Sequence, residues 1–307
     1  MNTEYLKEFV VLAETRNFWE ASARLYMNQS TLSKHIKALE AELGVELFHR
    51  TTRHVSLTNY GRAFLPHAQS ITRAEFEAST AIQRLKNIEN GLLTIGSIPS
   101  MPQYHIAQFL AEFRQQYPEA AIRITEDDPN QLPDYLINET CELIFYREDK
   151  SSFENNFLKK TQIERIPYMT DHMVALMQRT HPLADRESIS LQQLKDEQFC
   201  FIKEGSLMYQ MAMDACSQAG FVPDIVYTSH RIESIVDMVI NQGCIGLLMD
   251  QHMPTSDRDM NHEQMLWTTV PIAPAITSQI SLCYRTDRPL SKTAQQFVDF
   301  CTSRIFK

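Results

Sequence analysis

The sequence predicts an α/β protein in which a small helical module precedes a larger region of alternating strands and helices. Three observations support this fold class. Apolar residues recur at helical spacing over the first 43 residues, a heptad pattern occupies residues 59–90, and short apolar runs alternate with helical segments from residue 91 onward. The predicted parts are residues 1–58, 59–90 and 91–307.

Charge is distributed unevenly between these parts. The net charge of the 307 residues is −9, but residues 1–90 hold 11 Lys and Arg against 10 Asp and Glu, whereas residues 91–307 hold 18 against 28. Within residues 24–62 the count is 6 basic to 3 acidic. An acidic protein can therefore carry a basic surface on its first module, and a nucleic-acid partner is not excluded.

Composition also limits the compartment and the cofactors. No run of about 18 apolar residues is present to span a membrane, and the start MNTEYLKEF has acids where a signal peptide has basic and then apolar residues. We therefore expect a cytoplasmic protein. The six cysteines lack a Cys-x-x-Cys pair and the ten histidines lack ligand spacing, so we expect no disulfide framework, no metal and no cofactor.

The first module is predicted to contain three helices. Leu6, Phe9 and Ala13 share one face of the first helix, and Asn17 is placed to cap the second. The third helix has Asn28 as its candidate N-cap and ends at Gly44. Its apolar stripe consists of Leu32, Ile36, Leu39 and Leu43. This stripe is predicted to be the core-facing side.

The opposite face of the third helix is small, polar and cationic, and the following segment 46–58 is typical of two short strands with a basic loop. A third helix followed by a basic wing is a winged helix-turn-helix, which reads the DNA major groove. Lysines and arginines would contact phosphates, and Gln29, Ser30 and Ser33 would reach bases. The alternative is an ordinary solvated helix face. The candidate DNA-binding residues are Gln29, Ser30, Thr31, Ser33, Lys34, Lys37, Arg50, Arg53 and His54.

A long linker helix is predicted from Thr58, its N-cap, to about Asn90. Phe64, Ile71, Ala78 and Leu85 fall on one heptad position, and His67, Ala74, Ala81 and Ile88 on another. Pro66 should kink or interrupt the helix. A core helix of one domain is the alternative, but the repeat favours an interface between two copies. The candidate dimerisation residues are Phe64, Ile71, Ala74, Ala78 and Leu85.

From residue 91 the pattern indicates two β/α lobes. Lobe I is predicted at about 91–162 and 268–307, and lobe II at about 163–267. The predicted strands are 92–97, 121–126, 142–146, 172–177, 198–202, 224–228, 244–249 and 278–285, and the last helix is 291–305. Two such lobes enclose a cleft at the carboxyl ends of their strands, where ligands of open α/β sheets bind.

Polar residues that follow these strands are the candidate ligand-binding residues. Helix starts near Ser97 and Ser206 would favour an anion, with Lys203 as a charge partner, although each serine could simply cap its helix. The full candidate set is Ser97, Ser100, Met101, Asn130, Arg147, Lys203, Gly205, Ser206, His230 and Arg231.

The types of residue at many of the first 61 positions, and their order along the chain, resemble the signature of the LysR family of transcriptional regulators. The matching phrases are Leu6-Lys7-Glu8-Phe9, Ala13-Glu14, Ala21-Ser22, Gln29-Ser30, Leu32-Ser33, Leu39-Glu40, Leu43-Gly44, Leu47-Phe48, Arg50, Arg53, Leu57-Thr58 and Gly61. Weaker likeness continues through LLTIGS (92–97), HPLADRESISLQQLKDEQF (181–199) and GCIGLLMD (243–250). Asn28 and Ser30 depart from the usual serine and proline.

This resemblance implies a DNA-binding winged helix-turn-helix, a dimerising linker helix and a two-lobed periplasmic-binding-protein-like effector domain. It also implies promoter or operator DNA and a small-molecule effector as partners, and homodimers that pair into homotetramers. The target genes, the effector and the direction of regulation are not implied.

The competing hypothesis is a solute-binding or catalytic cleft protein with an incidental helical N-terminus. The sequence contains no G-x-S-x-G, G-x-x-x-x-G-K-[ST] or H-E-x-x-H motif, so an enzyme is not favoured. Cys200 and Cys216 could suggest redox sensing. Their apolar surroundings favour buried structural thiols instead.

Overall fold

The chain divides into two units, residues 1–85 and 86–307. The computed structural model describes residues 1–50, 55–99, 102–149, 162–253 and 266–305, with Arg50, Asp149 and Ile305 described by their backbone alone.

The first unit contains the predicted helices and the two strands of the predicted wing. Its elements are α1 (Thr3–Thr15), α2 (Phe18–Arg24), α3 (Gln29–Leu43), β1 (Phe48–Arg50), β2 (Val55–Leu57) and α4 (Asn59–Glu89). β1 and β2 pair antiparallel, with His49 opposite Ser56. The core is formed by apolar side chains at helical spacing, including Leu6, Phe9, Leu32, Ile36 and Leu39. Their burial follows from the periodicity.

The helix ends follow the sequence except at Asn28. The Asn17 side chain accepts hydrogen bonds from Trp19 N and Glu20 N at the start of α2. Gly44 ends α3 with φ of 72°. Asn28 occupies the N-cap position of α3 as predicted, but its side chain makes no capping hydrogen bond.

The first turn of α4 lies directly on the segment that leads into the wing. Thr58 caps α4 by accepting from Gly61 N at 2.9 Å, and its hydroxyl donates to Glu46 O at 2.7 Å. A Cβ at Gly61 would lie 2.1 Å from Leu47 O, which no side chain tolerates. Glycine at this position therefore allows the close approach of α4 to the wing.

α4 is one continuous helix of 31 residues that runs through Pro66, so the proline does not interrupt it, and the expected kink stays a prediction. Phe64 and Ile71, which the heptad pattern assigns to a dimer interface, pack against the core of the first unit. Lys7 on α1 lies 3.4 Å from Glu75 on α4. The first half of α4 is thus part of the N-terminal domain.

The second unit is built on one continuous sheet. Its strands are β3 (Leu92–Ser97), β4 (Ala121–Glu126), β5 (Leu143–Asp149), β6 (Ile163–Gln178), β7 (Gln198–Ile202), β8 (Asp224–Ser229), β9 (Ile245–Met249), β10 (Trp267–Pro271) and β11 (Thr277–Arg285). Its helices are α5 (Ile106–Gln116), α6 (Leu132–Ile137), α7 (Leu207–Gln218), α8 (Ile232–Gln242) and α9 (Lys292–Ile305). The strand order is β4-β3-β5-β11-β6-β9-β7-β8, with β10 beside β6.

Two separate sets of hydrophobic cores divide this sheet into two lobes. The core of lobe I includes Leu93, Phe113, Phe145 and Phe297. In lobe II the sheet is covered on both faces, because Phe199 and Phe201 point into one cluster and Cys200 into another. Residues 163–169 contribute to the core of lobe I, and residues 270–276 to that of lobe II. The chain therefore passes between the two cores within β6 and again just before β11.

The first half of β6 and all of β10 were not expected as strands. The expected strand 172–177 is only the end of the 16-residue β6. Pro167 lies in the interior of β6. Opposite it, between Ile280 and Ser281 of β11, the register of the β6–β11 pairing shifts. A proline in a sequence argues against predicting a strand there, unless a β-bulge accommodates it. The register shift at Pro167 is an irregularity of this kind.

We expect Gly61→Ala to lower the free energy of unfolding by about 2 kcal/mol or more, because the added methyl group meets the Leu47 carbonyl and neither backbone can move freely. Urea unfolding followed by circular dichroism measures the change. Gln69→Ala, an exposed substitution on the same helix, is the control and should change stability by less than about 0.5 kcal/mol. Equal stability of the two variants would contradict the close approach.

Candidate DNA-binding and effector-binding sites

The face of α3 opposite its apolar stripe is open to solvent. Leu32, Ile36 and Leu39 are fully buried. The side chains of Gln29, Ser30, Lys34 and Lys37 are exposed, whereas those of Thr31 and Ser33 are half-buried at the border. The structure therefore brings six predicted DNA-binding residues together on one helix surface. The side chain of Arg50 and the residues Arg53 and His54 lie outside the described part of the chain.

Polar contacts with buried partners fix the orientation of α3. Glu8 of α1 is buried, and its two carboxylate oxygens lie 2.9 and 3.0 Å from Nδ1 of His35 on α3. The ring of Tyr5 stacks on that imidazole with centroids 4.5 Å apart. At the other end of α3, Glu40 Oε1 accepts from Leu47 N at 2.9 Å, next to the wing. These contacts couple α3 to both of its neighbours.

The loops after β4 and β7 meet across the two lobes. The side-chain amide of Asn130 donates to the carbonyl oxygen of Gly205 at 3.4 Å. Both residues follow carboxyl ends of strands, as expected for the edges of a cleft. Two of the predicted ligand-binding residues are thereby in direct contact, although 75 positions separate them in sequence.

The two serines that were predicted near helix starts are already engaged in hydrogen bonds, and only Ser206 lies at a helix start, since α5 begins at Ile106. Ser97 is fully buried at the end of β3, and its hydroxyl donates to Ile98 O at 3.3 Å. The Ser206 oxygen accepts from Tyr209 N as the cap of α7, and its hydroxyl donates to Lys203 O at 2.8 Å. Lys203 itself is exposed. Any ligand contact at α7 would therefore use the Lys203 ammonium and backbone N–H groups rather than the Ser206 hydroxyl.

The remaining predicted ligand-binding residues are dispersed. His230 and Arg231 are exposed after β8, where Arg231 lines a shallow depression together with Tyr227, Glu233 and Asp237 of the β8–α8 region. Ser100 and Met101 lie outside the described residues.

Arg147 lies in a buried polar cluster where the two lobes join. Its guanidinium donates to the hydroxyls of Tyr104 and Ser278 and to Nε2 of His252, the last at 3.4 Å. It also lies 3.9 Å from the carboxylate of Asp171, which accepts from the Tyr104 hydroxyl. Tyr104 and Arg147 come from lobe I, His252 follows β9 of lobe II, and Asp171 lies within the crossing strand β6. Opposite charges are thus paired inside the junction.

This environment changes the proton affinity of its members. Burial, reinforced by the Arg147 charge, lowers the pKa of His252 to about 3. Burial also raises the pKa of Tyr104 above its usual range. The imidazole is therefore neutral, so Nε2 accepts from Arg147, and the buried Nδ1 has no hydrogen-bond partner among the described residues.

Sequence reasoning singled out Arg147 as a ligand-binding candidate, which stays a prediction, but missed the residues that neutralise its charge. One signal was available: Asp171 and His172 interrupt a strand that is otherwise apolar toward its end. Partners such as Tyr104, Ser278 and His252 are remote in sequence, and only the fold brings them to Arg147. Glu8 was also missed, although a carboxylate between Leu6 and Phe9 on a core face indicates a buried partner.

A winged helix-turn-helix with an exposed cationic third helix, followed by a two-lobed α/β domain, defines the class of ligand-responsive DNA-binding transcriptional regulators. Comparison with known protein families gives the same class. Residues 3–62 match the family "Bacterial regulatory helix-turn-helix protein, lysR family", and residues 86–305 match "LysR substrate binding domain". The chain belongs to the LysR family of transcriptional regulators, whose members regulate transcription and are not enzymes.

Similar proteins cover the same length. The HTH-type transcriptional regulator YwbI of Bacillus subtilis (strain 168) is 27% identical over 309 residues, which is 100% of this chain and 97% of that protein. HinK, a LysR family transcriptional regulator from Pseudomonas aeruginosa, matches with a TM-score of 0.58 and 25% identity over 99% of this chain and 98% of that one. Full-length CbnR complexed with its target DNA shares the fold, with a TM-score of 0.55 and 18% identity over 99% of both chains.

Within the described ranges, none of the helices combines the length and the apolar character needed to cross a membrane.

We expect His252 to make the protein less stable in acid. Its pKa in the folded protein, about 3, lies below the ordinary 6.5, so only the unfolded chain binds this proton as the pH falls below 6.5. The wild type should lose about 1.4 kcal/mol per pH unit more than His252→Gln between pH 6 and pH 4.5. Urea unfolding of both proteins measures the difference, and parallel curves would show that His252 does not titrate in this way.

Proposed function

We propose that this protein is a sequence-specific transcriptional regulator that binds two operator half-sites as a homodimer in the cytoplasm, under the control of a small anionic effector held between the lobes of residues 91–307. The observation that carries the proposal is the surface of α3, where polar and cationic side chains occupy the only face that the core leaves open in this helix. The homotetramer implied by the family resemblance belongs to the same proposal.

The start of α3 is suited to contact with DNA. Asn28 makes no capping hydrogen bond, so its amide does not occupy the N–H groups of the first turn. Gln29 and Ser30 lie exposed beside these groups, and Lys34 and Lys37 follow one and two turns later. Phosphates would be bound by the lysines, and base edges by the shorter polar side chains.

We expect Lys34→Ala to weaken binding to all DNA sequences and to reduce the slope of log K against log salt by about 1, because one phosphate contact is lost. Gln29→Ala should leave the slope unchanged and reduce discrimination between sites. Fluorescence anisotropy with DNA from upstream of the protein's own gene, across a salt series, measures both effects. Lys292→Ala removes the same charge from α9 and is the matched control; a slope change equal to that of Lys34→Ala would contradict the assignment.

The second half of α4 supports the dimer. Ala74, Ala78, Ala81, Ile82, Leu85 and Ile88 lie within about 120° of the helix circumference, and all are exposed in the single chain. Ile82 and Leu85 are each 57% exposed. Alanines allow helices to approach closely, and the larger side chains supply the apolar area that a second copy would cover. Because Phe64 and Ile71 already pack in their own domain, we place the centre of the interface after Ala74.

We expect Leu85→Asp to dissociate the dimer, because pairing would bury an unpaired carboxylate between two helices. Phe76→Asp is the matched control, since Phe76 is also exposed, at 46%, but lies on the opposite side of α4. Sedimentation velocity should show monomers for Leu85→Asp only, together with weakened operator binding. If Leu85→Asp remains dimeric, or if Phe76→Asp dissociates equally, the interface lies elsewhere.

The effector proposal rests on position and charge. Lys203 is exposed at the carboxyl end of β7, just before the start of α7, where backbone dipoles favour an anion. Asn130 of lobe I reaches this loop, so a molecule bound here would contact both lobes. An effector that prefers one lobe arrangement would shift the equilibrium between arrangements, whereas equal affinity would shift nothing.

We expect small carboxylates or phosphates to raise the melting temperature of the full-length protein, since a ligand at 100 times its Kd adds about 2.7 kcal/mol. Lys203→Ala should weaken this stabilisation. Lys195→Ala is the matched control, because Lys195 is exposed on the same lobe but precedes β7 rather than following it. A hit that is neutral or cationic, or that is insensitive to Lys203→Ala, would overturn the anion site while leaving DNA binding untouched.

A further inference from the structure

Two cysteine thiols lie in contact in the core of lobe II. Cys200 is in β7, and Cys244 lies between the end of α8 and the start of β9. Their Sγ atoms are 3.0 Å apart, within hydrogen-bonding distance. Both side chains are buried, with 0% and 2% exposure. The sequence pattern did not indicate this pair, because 43 residues separate the two cysteines.

The strand register explains the contact. β7 and β9 are parallel neighbours in which Cys200 pairs with Gly246. Side chains alternate between the faces of a sheet, so Cys244, two positions before Gly246, lies on the same face as Cys200. That face is covered by α8, which contributes Ile235 to the same cluster. The two sulfurs therefore share one side of two adjacent strands.

The surroundings of the two thiols shift their pKa values in opposite directions. The hydrogen bond with Cys200 lowers the pKa of Cys244, whereas the same hydrogen bond, together with burial, raises the pKa of Cys200. Because the thiolate is the nucleophile, Cys244 is the member of the pair that would react first. Cys216, in the same lobe, is buried with no cysteine partner among the described residues, and burial raises its pKa to about 12.

We infer that Cys200 and Cys244 are a redox modification site that forms a reversible disulfide on reaction with a hydroperoxide. In the first step the Cys244 sulfur attacks the O–O bond and takes up one oxygen as a sulfenic acid, while the other oxygen leaves as an alcohol or water. The Cys200 thiol then attacks the Cys244 sulfur and releases water. Two thiols lose two electrons, and the hydroperoxide gains them. A dithiol reductant reverses the bond by exchange.

The geometry allows this bond with small movements. The sulfurs need to approach from 3.0 Å to about 2.05 Å, a closure of about 1 Å. Access of the oxidant requires local opening where α8 joins β9, so the reaction is slower than that of an exposed cysteine. The disulfide would join the middle of β7 to the residue just before the start of β9.

The test uses the full-length protein, reduced, desalted and then exposed to hydrogen peroxide under native conditions. Remaining thiols are alkylated, and the protein is digested with trypsin without reduction for mass spectrometry. We expect a disulfide between the peptides 196–203 and 232–258, lighter by two hydrogen atoms than their sum and lost on treatment with dithiothreitol. Sulfoxide at the exposed Met1 confirms that the oxidant dose was sufficient.

Two variants separate the pair from general oxidation. Cys216→Ser should form the same link as the wild type. Cys200→Ser should leave Cys244 as a sulfenic acid that dimedone traps. Recovery of both Cys200 and Cys244 as alkylated thiols in the wild type, at a dose that oxidises Met1, would overturn the inference. Linkage to a different cysteine, or linkage seen only in denaturant, would do the same.

Discussion

The function proposed for this protein depends on one constraint, the burial of one side of α3. Leu32, Ile36 and Leu39 are fully buried, and a helix that inserts this stripe into a core must present its opposite side to solvent. That side carries Ser30, Lys34 and Lys37. The Glu8–His35 contact then limits rotation of the helix about its axis. Presentation of these polar groups to solvent is thus a consequence of apolar packing.

A second constraint acts where the lobes join. A guanidinium in the protein interior needs partners, since an unpaired buried charge is strongly destabilising. Arg147 finds them in side chains from both lobes and from the crossing strand. The strands β6 and β11 extend through this region, so the lobes are connected by backbone pairing as well as by charge. Rearrangement of the lobes must therefore preserve or exchange these contacts.

The sequence predicts the parts of the fold that periodicity determines, and it fails where contacts between remote segments decide. The apolar stripe of α3 and the strands β3, β4 and β7 follow from residue spacing alone. Pro167 obscured the first half of β6, because only the tertiary structure shows that a bulge accommodates it. Phe64 and Ile71 pack within their own chain, whereas Leu85 is exposed. The heptad pattern could not distinguish these two environments, because the same spacing is found for residues of a domain core and for residues of a dimer interface.

The same distinction applies to the sites. Residue type and position on α3 indicated the exposed face that we propose binds DNA, because the residues of that face lie within one helix. The environment of Arg147 could not be predicted, since Tyr104, Asp171 and His252 reach it from three different segments. Likewise, the sequence placed Ser206 at a helix start, but only the structure shows that its hydroxyl donates to Lys203 O.

The central claim is that the N-terminal domain recognises specific DNA sequences as part of a two-fold dimer. Selection of binding sites from a pool of random DNA duplexes by the full-length protein tests it most directly. The account predicts enrichment of two inverted half-sites separated by about one helical turn, or a multiple of it, from centre to centre. Recovery of a pool without sequence preference, or of a single unpaired half-site, would contradict it.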